Sequence, residues 1–66
     1  MIDYTNSAIS NIIDEHIHSK RDRIILKARL IDGLTYEQIA EDVDMSVRQI
    51  KNIIYKEQEK VLKYFL

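Results

Sequence analysis

Apolar residues recur along this chain in four stretches whose spacing follows a helical period. In the first, Ile2, Ile9, Ile12, Ile13 and Ile17 fall at near-helical intervals behind three candidate N-caps, Asp3, Thr5 and Asn6, which predicts a helix over residues 4–17. Ser19 followed by Asp22 opens a second helix over 20–32, stopped by Gly33. At about 100° per residue Ile24, Ala28 and Ile31 share one face of it while Leu26 and Leu30 lie nearly opposite, so it is expected to sit between other helices. Thr35 caps a third helix over 36–43, with Tyr36, Ile39, Ala40 and Val43 as a narrow apolar stripe. Ser46 caps a fourth over 47–64, where Ile50, Ile53, Ile54, Val61 and Phe65 occupy one side. The expectation is an all-α fold: a compact four-helix domain taking in residues 1–66 as a single unit.

The third and fourth helices are separated by only a few residues. Such a pair cannot lie antiparallel side by side; it crosses steeply, as in a helix-turn-helix, here over residues 33–54 with a long recognition helix from 47. Ile39, Val43 and Met45 then share a core with Ile50 and Ile53, and Ala40 sits where the helices approach most closely. Asp44 takes the turn, where many such motifs place glycine because the backbone needs a positive φ; aspartate tolerates that conformation better than most residues.

Composition narrows the function. With 66 residues the core is small and there is no room for a deep catalytic cleft. Cysteine is absent, which removes disulfides, thiol nucleophiles and thiolate metal sites. His16 and His18 stand two apart, about 200° around a helix, and cannot share a metal. No Ser/His/Asp spacing or glycine-rich phosphate loop is present, so neither catalysis nor any cofactor or metal is expected. No stretch reaches the roughly 18 apolar residues of a membrane span and the N-terminus does not read as a signal peptide; a cytoplasmic location, with no membrane partner, is the expectation. The formal net charge of −1 hides an alternation: residues 1–18 carry −3, 19–34 carry +3, 35–45 carry −4 and 46–66 carry +3. A docking surface responds to its local field, so the total does not exclude nucleic acid.

The stretch GLTYEQIAEDVDMSVRQIKNIIYKEQEKVL, residues 33–62, resembles without a gap the promoter-reading region four of bacterial RNA polymerase sigma factors, especially the compact extracytoplasmic-function type. The preceding RDRIILKARLIDGLTY resembles the helix that leads into that motif in the family. The chain leaves no room for the separate region that melts promoter DNA, so the likeness implies a stand-alone region-four-like protein, of phage or mobile-element type, rather than a complete sigma factor. It implies double-stranded DNA as partner and a sequence-specific transcription regulator as function. Region-four domains also contact the polymerase flap, so a module that engages RNA polymerase or another protein without reading DNA is the alternative. The resemblance further implies that Thr35 and the amides after it touch a phosphate, beside the plain role of Thr35 as an N-cap.

On the fourth helix, the side opposite Ile50 displays Arg48, Asn52 and Tyr55, flanked by Lys51 and Lys56. Arginine can read guanine O6 and N7, asparagine can read adenine N6 and N7, and lysines take phosphates. With Ser46 at the helix start, where recognition helices make base contacts, the expected base-reading set is Arg48, Asn52, Ser46 and Tyr55, with Lys51 and Lys56 on phosphates. The plain alternative is a solvated polar face. Glu59 lies on the same face and repels phosphate, so contact is expected to stop about there. Lys20 and Arg21, with Arg23, form a basic cluster that is either a phosphate clamp or a solubilising surface. Glu37, Glu41 and Asp42 are expected to face away from the motif's core and from DNA. In the tail, Val61, Tyr64, Phe65 and Leu66 either cover the first helix within a monomer, the default, or pair with a second copy in a homodimer.

Overall fold

The computed structural model describes residues 5–65; Ile2, Asp3 and Leu66 lie outside the described residues. Four helices follow one another: α1 (Asn6–His16), α2 (Lys20–Leu30), α3 (Tyr36–Val43) and α4 (Val47–Leu62). Each starts on a hydroxyl residue in extended conformation. Of the three candidates Thr5 caps α1, its Oγ1 accepting from the Ala8 N–H at 3.2 Å, and Ser19 Oγ accepts from the Asp22 N–H at 3.3 Å. The caps of α3 and α4 are reciprocal boxes. Thr35 Oγ1 accepts from the Gln38 N–H at 3.1 Å while Gln38 Oε1 accepts from the Thr35 N–H at 2.9 Å. Ser46 and Gln49 repeat the arrangement at 3.1 and 3.0 Å. Two of the four orphan amides at each start are thereby satisfied, which fixes where α3 and α4 begin.

α3 runs over 36–43 as its stripe predicts, whereas α1, α2 and α4 are each a little shorter than periodicity suggests. Ile17 is extended rather than helical, yet its side chain is fully buried, so it belongs to the core without belonging to α1. Beyond α2 the Ile31 and Asp32 amides both return to the Lys27 carbonyl, and Gly33 follows at φ +70°. A Cβ at Gly33 would meet no atom within 4 Å, so its backbone conformation, not space, calls for glycine. Asp44 ends α3 in the left-handed region at φ 56°, ψ 50°. The Met45 N–H closes onto the Ala40 carbonyl at 2.9 Å, the six-to-one bond that accompanies a left-handed helix end. After α4 the Tyr64 and Phe65 amides bond to the Val61 and Leu62 carbonyls at 3.1 and 2.9 Å, a tightened turn that swings Phe65 back under the helix.

One core is shared by all four helices: Ile13, Ile17, Ile25, Leu26, Ile39, Ala40, Ile50, Ile54, Val61 and Phe65. Val43, Met45, Tyr36 and Ile53 pack partly buried against it, as the motif's spacing requires. As expected, α2 packs against each of the other three helices. Its faces, however, differ from the two-sided pattern. Ile24 is 52% exposed and Ile25 is fully buried, because the arc facing the three neighbours is centred between Ile25 and Leu26, leaving Ile24 about 100° beyond Ile25 on the solvent side. A second departure is Glu57, 6% exposed on the same stripe as Ile50, Ile54 and Val61. Its Oε1 meets the Lys60 amine at 3.4 Å, one turn along the surface. Between α1 and α2 a salt bridge joins Asp14 to Lys27 at 2.7 Å.

Candidate nucleic-acid interface

The core stripe of α4 determines what the helix offers to a partner. With Ile50, Ile54, Glu57 and Val61 turned inward, Arg48, Asn52, Tyr55 and Glu59 form an outward stripe, all of them exposed. At about 100° per residue, Lys51 and Lys56 stand roughly 70° to either side of the Arg48–Asn52–Tyr55 line. The side chains of Arg48, Asn52, Lys51 and Lys56 make no hydrogen bond or ion pair with any described residue. They are cations and an amide held on a rigid scaffold and turned to solvent.

Ser46 and Thr35 differ in what their caps leave over. Ser46 Oγ accepts from the Gln49 N–H and also donates to Gln49 Oε1 at 3.2 Å, so its proton is used within the box. Thr35 Oγ1 accepts from Gln38 and its proton has no acceptor among the described residues. The amides of Tyr36 and Glu37, on the first turn of α3, also lie beyond the reach of the capping box. An oxyanion at this helix start therefore meets donors that are still available.

Tyr36 brings three helices together at that point. The Arg29 guanidinium, from the end of α2, stands 4.6 Å from the centre of the Tyr36 ring and donates to the Leu34 carbonyl at 2.9 Å. The Lys51 amine, from α4, lies 5.7 Å from the same ring centre. Tyr55 presents its ring edge-on at 6.4 Å and 86°. The Tyr36 hydroxyl, through a hydrogen bond and through its own charge once ionised, pushes the Tyr55 phenol above its ordinary value, with Arg29 pulling the other way. Tyr55 is accordingly a neutral donor and acceptor at physiological pH, and puts no negative charge beside a phosphate.

Of the residues expected at the site, Thr35, Lys51 and Tyr55 are thus brought to one junction, and Arg48 and Asn52 lie on the adjoining face of α4. Lys20 and Arg21 are not part of it. They begin α2, whereas Arg29, the α2 residue at the junction, lies about 13 Å further along that helix. Arg21 also pairs with its neighbour Asp22 at 3.4 Å, and the third member of the cluster, Arg23, donates to the Ile17 carbonyl at 3.2 Å. Two members of the junction escaped the sequence reading. Tyr36 counted only as a core residue, and Arg29 stood on a helix interior with nothing nearby in sequence to mark it. Glu37, Glu41 and Asp42 are exposed on the outer side of α3.

The family model described as Sigma-70, region 4 matches residues 19–56. That span takes in α2, α3 and α4 as far as Lys56, and leaves α1 and the tail outside. Nothing among curated proteins or solved structures matches the chain at a significant level. Region 4 domains are non-enzymatic and bind DNA and RNA polymerase. With more than half of its length in that match and the helix-turn-helix geometry in place, the chain belongs to the Sigma-70, region 4 family.

Proposed function

We propose that this protein is a small sequence-specific DNA-binding transcription regulator that lays α4 in the major groove. The observation that carries the reading is the outward stripe of Arg48, Asn52 and Tyr55 with a lysine on each flank, on a helix whose other side is anchored in the core. Arg48 and Asn52, in the first two turns, address base edges, with Tyr55 one turn on and Ser46 at the rim. Lys51 and Lys56, on opposite flanks, suit the two phosphate walls of a groove, and Thr35 with the α3 amides suits one of them. Glu59 marks where contact ends. No described helix is long and apolar enough to cross a membrane. Work on DNA places the protein, on this reading, in the cytoplasm. Burial of Val61 and Phe65 in the chain's own core favours a monomer.

RNA polymerase is a second partner on this reading, by family membership and by the exposed Glu37, Glu41 and Asp42 surface that a DNA-bound α4 leaves free. The deciding experiment is selection of bound sequences from random duplex DNA, with the Arg48→Ala, Asn52→Ala double variant run in parallel. An enriched motif that the double variant loses is the expected result. No enrichment, together with a salt-tolerant complex with polymerase, would favour the protein-binding alternative.

A further inference from the structure

We infer that Tyr36 is a positioning residue whose ring, at the junction of α2, α3 and α4, holds the Lys51 amine and the Tyr55 ring in place for contact with a nucleic-acid backbone. The inference rests on the DNA-binding function proposed above and assigns a role to a residue that touches no base. Three contacts support it, one from α2 and two from α4. Arg29 is fixed by its 2.9 Å bond to the Leu34 carbonyl and stands 4.6 Å from the ring centre, so the ring is braced against the end of α2. Lys51 is exposed on a flexible four-carbon stem, yet its amine lies 5.7 Å from that same ring centre. Tyr55 meets the ring edge-on, in the geometry that aromatic pairs favour.

A lysine free in water loses considerable rotamer freedom when it grips a phosphate. Attraction to the face of an aromatic ring restricts that freedom before the partner arrives and leaves the ammonium's own donors available. A hydroxyl is not needed for this; a ring is. The prediction therefore separates two substitutions at one position. Tyr36→Phe keeps the ring, whereas Tyr36→Leu keeps apolar bulk against the core and removes it.

The test begins in the free protein. Ring currents should displace the Lys51 side-chain methylene resonances from random-coil positions in wild type and in Tyr36→Phe, and the displacement should vanish in Tyr36→Leu. On a mixed-sequence DNA duplex, Tyr36→Leu should weaken binding several-fold while keeping the salt slope near that of wild type, whereas Lys51→Ala lowers the slope by about one. Lys51→Ala should cost as much in the Tyr36→Phe background, which keeps the ring, as in wild type, and less in the Tyr36→Leu background. Lys51 resonances unmoved by Tyr36→Leu, or additive losses in the double variant, would overturn the positioning role. A wild-type protein that binds no duplex, while its Lys51 resonances still depend on the ring, would overturn the proposed function and leave the placement of Lys51 by Tyr36 standing.

Discussion

From residue 47 to 56, α4 turns Arg48, Asn52, Tyr55 and two lysines outward; from Glu57 on, the same helix turns Glu57, Val61 and, after the tightened turn, Phe65 inward. The family match ends at residue 56, on the boundary between these halves. The first half is seated by the capping box and the turn from α3, built from residues nearby in sequence, and by Ile50 and Ile54 in the shared core. The second is seated by α1, through the shared core and through Tyr64, whose ring stacks on His16 at 4.1 Å with its hydroxyl 3.1 Å from His16 Nδ1. One half of a continuous helix thus supplies the surface, and the other ties it to the element lying outside the family match. Mutations in the two halves should therefore be separable into losses of binding and losses of stability.

Phe65 gives the largest expected effect. Truncation to alanine empties a site that is 6% exposed, and Phe65→Ala should cost about 2–4 kcal/mol in chemical denaturation, held below the upper range because helix ends fray. Binding per folded molecule should not change. A fall in affinity at full folding would show that the two halves are not independent. Sedimentation adds a check, since a wild-type dimer that becomes a folded monomer in Phe65→Ala would reassign the residue to an interface.

Ala40 tests the seat of the first half. It is buried, and its carbonyl accepts the Met45 amide that closes the turn. Ala40→Leu should cost about 1–3 kcal/mol by overpacking and should shift α4 against α3 as well. Unlike Phe65→Ala, it is expected to weaken DNA binding even where the protein remains folded.

These two sites also show why parts of the molecule were legible in advance. Ala40, Asp44, Thr35 and Ser46 answer to local rules: a small residue at a close approach, a tolerated left-handed residue in a turn, hydroxyls at helix starts. The face of α2 and the burial of Glu57 do not. Ile24 and Ile25 are equally apolar, and only the positions of three neighbouring helices decide which of them is buried. A carboxylate reads as a surface residue unless a lysine one turn away and a core stripe on either side are seen together. The Tyr36 junction was hidden for a related reason. Its members lie on three helices, and the Gly33 turn, whose path no residue pattern specifies, brings Arg29 to the start of α3.

Arg48 and Asn52 should behave in the opposite way to Phe65. Both are exposed, so alanine at either should leave stability within about 0.5 kcal/mol of wild type. Each should cost roughly 1–3 kcal/mol on the preferred duplex and little on random DNA. Equal losses on both duplexes would mean that the stripe contacts only phosphates.

The smallest effect marks the boundary between the halves. Lys56 and Lys60 are four residues apart and so share one flank of α4, yet they fall on opposite sides of Glu57. Lys56 has no ion-pair partner among the described residues, whereas Lys60 is held 3.4 Å from Glu57. If contact ends near Glu59, Lys56→Ala should lower the salt slope of duplex binding by about one, and Lys60→Ala should leave it unchanged. Lys60→Ala should instead lower stability, because it removes the amine 3.4 Å from the Glu57 carboxylate, whose side chain is only 8% exposed. Titrating binding against salt for the two variants side by side makes the comparison internal. A slope reduced equally by both would extend the groove contact past Glu59 and dissolve the division of α4 into a reading half and an anchoring half.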